Sequence, residues 1–391
     1  MKELNLDFDT VISRFGTHSI KYDFAKQRGH DSDELPLWVA DMDFRTTSSV
    51  QTALKNVTEH GIFGYSEEFE DYFDAIASWQ KERHNWSVER DWLVKTPGVV
   101  FALATAIKAF TKEGDSVLIQ QPVYYPFRGT IEANKRRVVS NNLVQDKNGK
   151  YCIDFDDFEK VIEENRVKLF LLCNPHNPVA RVWRREELER LGDICLSHGV
   201  IVVSDEIHED FVFKGKHLPF ASIKKEFADN CVVCTSPSKT FNLASMLISN
   251  IFIPNGELKK AFEKEIESTG LSQLSIFGLE ACRAAYKNGG EWYDSMIKYV
   301  AKNLAFIKDF TQKELPGVKM AEHEGTYLAW LDFRALGLSG EELDSAIKNR
   351  AKVWLDSGSM FGKSGIGFQR INAACPLSIL EDAMNRIKRV L

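Results

Sequence analysis

Val167-Lys-Leu-Phe-Leu-Leu-Cys173, then Arg184-Arg-Glu-Glu-Leu-Glu-Arg-Leu-Gly-Asp-Ile-Cys-Leu-Ser-His198, then Gly199 and Val200-Ile-Val-Val-Ser204, is the stretch that decides the fold. Two short apolar runs flank a segment with the 3.6-residue periodicity of a helix, which Gly199 ends. The stretch reads as a βαβ unit, the building block of a parallel sheet covered by helices. Working outward, further apolar runs at 116–120, 137–143, 231–235 and 248–253 alternate with longer amphipathic ones. The expected fold class is therefore α/β, with a mostly parallel central sheet in a large domain spanning 46–284. Residues up to about 45 are polar and aromatic with little periodicity. From 285 onward the chain reads helix, strand (326–333), helix (340–350) and final helix (378–391), so a small α+β domain is expected from both termini, 1–45 and 285–391.

The composition suits a folded chain of two domains: 391 residues, 44% apolar and 27% charged, with only 24 Gly and 11 Pro. A net charge of −6 offers no electrostatic footprint for a phosphate backbone, which argues against nucleic-acid binding. No run approaches the ~20 apolar residues of a membrane span. The N-terminus, Met-Lys-Glu-Leu-Asn-Leu-Asp, lacks the apolar core of a signal peptide, and a cytoplasmic location is expected. Seven scattered cysteines read as reduced core thiols. Cys231 and Cys234 form a C-x-x-C, but in a strand an i,i+3 pair points to opposite faces, which suits buried packing rather than metal or redox duty.

Several expected strands stop in polar residues at their carboxyl ends, where an open parallel sheet forms its ligand crevice. Asn174 and Asn177 follow 167–173, Asp205 follows 200–204, and Ser236 to Lys239 follow 231–235. The helix-like run Val99 to Phe110 opens with Thr96-Pro97-Gly98, where glycine lets the backbone approach an anion held by the first N–H groups. No G-x-G-x-x-G is present, which argues against a dinucleotide. A carboxylate at the end of an apolar run needs a cationic or donor partner, although Asp205 also reads as a helix N-cap. Together these groups fit pyridoxal 5'-phosphate, whose aldehyde needs a lysine, whose pyridinium nitrogen needs a carboxylate and whose phenolate oxygen needs a donor.

Ser236-Pro-Ser-Lys-Thr-Phe-Asn-Leu, Cys173-Asn-Pro-His-Asn-Pro, Ser204-Asp-Glu-Ile-His and Gln369-Arg-Ile-Asn resemble the fold-type I pyridoxal-phosphate enzymes of the class I/II aminotransferase superfamily. Within them, Pro36-Leu-Trp-Val-Ala-Asp-Met-Asp-Phe44, Gly64-Tyr-Ser66 and Asp205-Glu-Ile-His208 look like the cystathionine β-lyase branch of the MalY/PatB type. The resemblance implies the fold-type I transferase fold. It implies that Lys239 bonds the cofactor aldehyde and acts as base, and that Asp205 pairs with the pyridinium nitrogen. Asn177 donates to the phenolate oxygen with His208 beside it, and Asn174 is expected to contact the cofactor. Gly98, Val99, Val100, Ser236 and Ser238 are expected at the phosphate. Tyr124 stacks on the ring, its alternative being plain packing, and His208 has bracing of Asp205 as its alternative. Tyr65 reaches the phosphate from a neighbouring subunit, which implies a homodimer with shared sites. Arg370 binds the α-carboxylate of a small amino-acid substrate bidentately, with Trp38 and Ala40 nearby.

The implied activity is cleavage of cystathionine or cysteine S-conjugates to thiol, pyruvate and ammonia. Aminotransfer between an amino acid and a 2-oxo acid shares the early steps and is the alternative; a regulatory protein acting through its surface is the rival from another class. Val179-Ala180, Ser245 and Leu377 stand where the family commonly has Thr-Gly, Gly and Arg, which touches loop shape and substrate range.

Overall fold

The computed structural model describes residues 6–147 and 149–391. Residues 1–5, the start of the stretch read above for a signal peptide, lie outside the described residues. The strands run β1 (Leu35–Pro36), β2 (Leu93–Thr96), β3 (Ser116–Ile119), β4 (Arg137–Ser140), β5 (Val144–Gln145), β6 (Tyr151–Cys152), β7 (Leu169–Cys173), β8 (Ile201–Asp205), β9 (Cys231–Thr235) and β10 (Ser249–Phe252). They continue as β11 (Lys319–Met320), β12 (Leu328–Asp332), β13 (Val353–Trp354), β14 (Asp356–Ser357) and β15 (Phe368–Asn372).

The chain has an α/β fold whose central sheet has the order β2-β10-β9-β8-β7-β3-β4. From β9 through β4 every pairing is parallel. The decisive stretch is a βαβ unit: β7, the helix Arg185–Ser197, and β8, with Gly199 left-handed at φ 63° after the helix. Glu187 accepts the backbone N–H of Arg184 at 2.8 Å and so caps that helix. The strands are continuous apolar runs because both sheet faces are covered. Phe170, Val202 and Cys231 pack into one core cluster, while Leu171, Val203 and Cys234 pack into the other. Each such residue contributes about 1.5–3 kcal/mol by leaving water. The two cysteines of the C-x-x-C thus lie in separate cores.

Three elements depart from expectation. The run at 248–253 forms β10, which is antiparallel to both its neighbours. The connection from β9 holds only short helical turns, Pro237–Thr240 and Ala244–Met246, and no long crossover helix, so the chain turns back. The edge strand β2 shows no long apolar run in sequence, since Leu93 and Val94 are followed at once by Lys95 and Thr96. The segment 340–350 is an α-helix only to Ser345 and then widens into a π-helix, Ala346–Arg350.

A second sheet has the order β11-β12-β15-β14, and the early strand β1 pairs in parallel with β13. This pairing carries residues 37–44 across to the carboxyl ends of the central strands.

Candidate active site

A cavity of about 230 Å³ opens at the carboxyl ends of β7, β8 and β9 and the amino end of the antiparallel β10. Its wall brings together Ala40, Gly98, Val99, Val100, Tyr124 and Asn177, residues far apart in sequence. Asp205, His208, Ser236, Ser238 and Lys239 complete the set.

Lys239 stands on the short helix Pro237–Thr240, and its Nζ donates to the carbonyl of Ala40 at 2.6 Å. Burial pulls its amine down to about 8, with Arg370 pushing the same way and the Asp41 and Asp205 charges opposing. Asp205 ends β8, and Oδ1 accepts the N–H of Ile207 at 3.1 Å. Burial drives its carboxyl up to about 7 against the pull of that bond and of Lys239. A carboxylate so placed is short of a close cationic partner. Burial also lowers His208, as do Lys239 and Arg370, so its ring is neutral. Burial raises the Tyr124 hydroxyl well above the ordinary tyrosine range.

Asn177 explains how the rim is oriented. Its Oδ1 accepts from Arg370 Nη1 at 3.1 Å, which commits the amide oxygen and leaves the amide NH2 for the cavity. Arg370 is buried; Nη2 donates to the carbonyl of Trp38 at 2.8 Å and to Asp356, while Nε is buried without a partner among the described residues.

The loop 38–44 has no regular structure, so side chains hold its backbone. Asn372 donates to the carbonyls of Val39 and Asp41, and Tyr327 to that of Ala40. Asn242 binds Met42 through both its N–H and its carbonyl. Arg14 and the fully buried Lys21 clamp the Asp41 and Asp43 carboxylates. None of these roles stood out in the sequence, because Asn242, Tyr327 and Asn372 act on a loop about 200 to 330 residues away, and Arg14 and Lys21 reach it across about 20 to 30. Asn242, Asn372, Asp41 and Asp43 lay inside strings already quoted, whereas Arg14, Lys21 and Tyr327 did not.

Gly98 begins the helix Val99–Phe110 at φ 150°, and no side chain caps that helix end. The φ is one that only glycine adopts without strain. Gly98→Ala is therefore expected to destabilise the chain by about 1–3 kcal/mol. It is also expected to weaken cofactor binding about tenfold, as read by fluorescence titration; unchanged affinity would show that the helix end holds no phosphate. Nearby, Ala180 makes its turn left-handed at φ 58° where the family has Gly. That backbone costs about 1–2 kcal/mol, partly offset by a buried methyl group.

Four expected residues stand outside the cavity wall, and one of them is Arg370, which meets it through Asn177. Asn174 is fully buried, and its Nδ2 donates to the carbonyl of Leu218 at 3.2 Å. Trp38 stacks on Trp354 with centroids 4.5 Å apart and offers the site only its carbonyl. Tyr65 is 97% exposed beside an open concavity of about 920 Å³.

The residues present fit pyridoxal 5'-phosphate. A buried amine, a carboxylate short of a cation, an uncommitted amide NH2 and an uncapped helix N-terminus face one space. These are the partners that its aldehyde, ring nitrogen, phenolate and phosphate require.

Residues 34–387 match the family described as aminotransferase class I and II. Cystathionine beta-lyase PatB of Bacillus subtilis (strain 168) is 45% identical over 387 residues, covering 99% of this chain and all of the relative. Protein MalY of Escherichia coli (strain K12) is 34% identical over 96% of each chain. Among solved structures, cystalysin from Treponema denticola, which contains pyridoxal 5'-phosphate, superposes with a TM-score of 0.94 at 38% identity over 98% of each chain.

Proposed function

We propose that this chain, which belongs to the class I and II aminotransferase family, is a pyridoxal 5'-phosphate-dependent carbon–sulfur β-lyase that cleaves cystathionine or cysteine S-conjugates to thiol, pyruvate and ammonia. The observation that carries the reading is 45% identity to a cystathionine β-lyase along the full length of both chains, joined to a cavity lined by the groups the cofactor needs.

When bound, the cofactor supplies an electron-withdrawing ring that stabilises negative charge at the substrate Cα. The chain's own residues supply the rest. Asp205 would offer its carboxylate to the ring nitrogen and so favour its protonated form, and Asn177 would donate to the phenolate oxygen. The Arg370 guanidinium receives the substrate α-carboxylate and fixes the orientation of Cα. Lys239, its amine lowered by burial to about 8, serves as the base that takes the Cα proton. Loss of the β-thiolate then competes with return of a proton elsewhere, and a thioether carries a leaving group good enough to win.

The deciding experiment supplies cystathionine with and without a 2-oxo acid. Pyruvate, ammonia and thiol in equal amounts without the acceptor are expected. Amino-group exchange between an ordinary amino acid and a 2-oxo acid, with no thiol from any thioether, would make the protein an aminotransferase.

We also propose a homodimer with shared sites, working in the cytoplasm, where seven unpaired cysteines stay reduced. Among the described residues no helix is long and apolar enough to cross a membrane. Support for the dimer comes from Tyr65, exposed together with Ile62, Phe63 and Phe69. Tyr65→Phe is expected to loosen cofactor retention about tenfold, the scale of one hydrogen bond to a charged group, while sedimentation still shows a dimer. A fully active monomer in dilute solution would refute the shared site.

A further inference from the structure

Behind the strand end that carries Asp205 lies a second group of ionisable side chains, none of which the reaction above uses. Glu206, Glu209 and Asp210 follow β8, and His84, at the end of the helix Asp71–His84, faces them with His217; all five are buried. Asp210 is bonded on both oxygens. Oδ1 accepts from Trp79 Nε1 at 2.9 Å and faces His84 Nε2 at 3.0 Å, and Oδ2 accepts from Thr240 Oγ1 at 2.5 Å. Its backbone carbonyl accepts from the Tyr293 hydroxyl at 2.6 Å, and the Arg83 guanidinium lies over that tyrosine ring. Glu206 accepts from Ser204 Oγ and the N–H of Phe220, and its Oε2 meets His217 Nε2 at 2.8 Å. Glu209 accepts from Gln80 at 2.8 Å through Oε1, while Oε2 has no hydrogen-bond partner among the described residues and lies 3.9 Å from His84 Nε2.

Three carboxylates and two imidazoles could hold a cation, but the hydrogen bonding favours protons. A metal-ligating imidazole donates its other N–H to an acceptor, and His217 Nδ1 is buried with none among the described residues. The His217 proton therefore belongs on Nε2, donated to Glu206. Burial lowers His84, but the Glu209 charge and the Asp210 bond outweigh it and hold the imidazole up at about 9. Burial raises the Glu209 carboxyl. Burial also opposes ionisation of Asp210, yet the bonds from His84, Thr240 and Trp79 win and keep it a carboxylate. The cluster is thus built round a buried His84–Asp210 imidazolium–carboxylate pair, with the Glu209 carboxyl beside it held above its ordinary range by burial.

We propose that the His84–Asp210 pair is a positioning element for Lys239, acting through the hydroxyl of Thr240. Thr240 is fully buried and is the residue next to the lysine on the turn Pro237–Thr240. The pair ties that turn to the helix Asp71–His84 and, through Tyr293, to the helix Gly290–Glu314. The main chain under Lys239 is held still while its amine leaves the Ala40 carbonyl for the reacting atoms. No solvent can replace the Thr240 hydroxyl at so buried an oxygen.

The test uses the holoenzyme. Thr240→Val removes the hydroxyl at nearly constant shape, and Thr240→Ser restores it. For Thr240→Val, kcat is expected to fall about tenfold with KM within about threefold, the scale of a small misplacement of a reacting group. The pH midpoint of the bound cofactor's visible absorption change is expected to move by at least about 0.5 pH unit. Thr240→Ser should return both toward the parent, and Asp210→Asn should reproduce the valine pattern. The proposal rests on the lyase reading only for the substrate used to measure kcat, since the absorption titration needs no substrate. A lowered Tm with kcat and the absorption midpoint unmoved in Thr240→Val would reduce the pair to scaffold and overturn the proposal. One equivalent of divalent metal in the purified protein, lost in Glu209→Gln, would overturn it as well.

Discussion

Lys239→Ala is expected to lower kcat for cystathionine cleavage by at least about 10³-fold, within the range contributed by a positioned acid–base group, and to end covalent capture of the cofactor. The cavity sets this scale: among the described residues Lys239 is the only lysine on its wall, and its Nζ donates to the carbonyl of Ala40. Borohydride reduction of the parent followed by peptide mapping should label Lys239 alone. The variant should bind the cofactor reversibly and take no label. Removing the ammonium also deprives Asp205 of its one neighbouring cation, so its carboxyl should move above its present value near 7. Label at another lysine in a variant that still turns over would overturn the assignment.

Arg370→Lys is expected to reduce kcat/KM about 10²–10³-fold with cofactor absorbance retained, a loss of about 3–4 kcal/mol. An ammonium cannot at once reach Asn177, the Trp38 carbonyl and Asp356 and also present a paired donor face to a carboxylate. Arg370→Met adds a stability cost. It leaves Asp356, which is buried with Arg370 as its ion-pair partner, uncompensated, at about 3–5 kcal/mol. Burial already raises the Asp356 carboxyl and Arg370 opposes the rise, so the variant's carboxyl must lie higher still. A carboxyl raised above its unfolded value contributes stability at low pH, and that contribution is lost as pH climbs through the folded value. Denaturant titrations should therefore find the variant closest to the parent in acid and furthest from it at neutral pH. A deficit independent of pH would show that the Asp356 charge is not the cause.

The fold was legible where two-sided burial leaves an unbroken apolar run, as at 169–173 and 231–235. It was not legible at Leu93–Thr96, where two apolar residues followed by Lys95 and Thr96 at a sheet edge carry too little signal. Nor did spacing reveal that β10 runs against its neighbours, because strand direction depends on how the chain returns. Cavity residues at strand ends were readable, since β7, β8 and β9 deliver Asn177, Asp205 and Lys239 to one crevice. Asn174 shows the limit of that rule: it follows the same strand, yet its side chain is spent on the Leu218 carbonyl. The supports Tyr327 and Asp356 left no local pattern, and Asn242, though inside a quoted string, gave no sign of its bonds to Met42, because each acts on a partner brought near only by the finished fold.

The carbonyls of loop residues 38–41 find side-chain donors at Tyr327, Arg370 and Asn372. On the ribosome, the segment carrying Ala40 therefore emerges some 330 residues before the last side chain that shapes it. At bacterial synthesis speeds that gap is on the order of tens of seconds. For that interval a nascent chain can own a finished central sheet, with its lysine in place, and still lack one wall of its pocket. Chains arrested short of residue 372 should then be the species that chaperones hold and proteases cut between 38 and 44, whereas release of the final twenty residues converts them to a cofactor-retaining form.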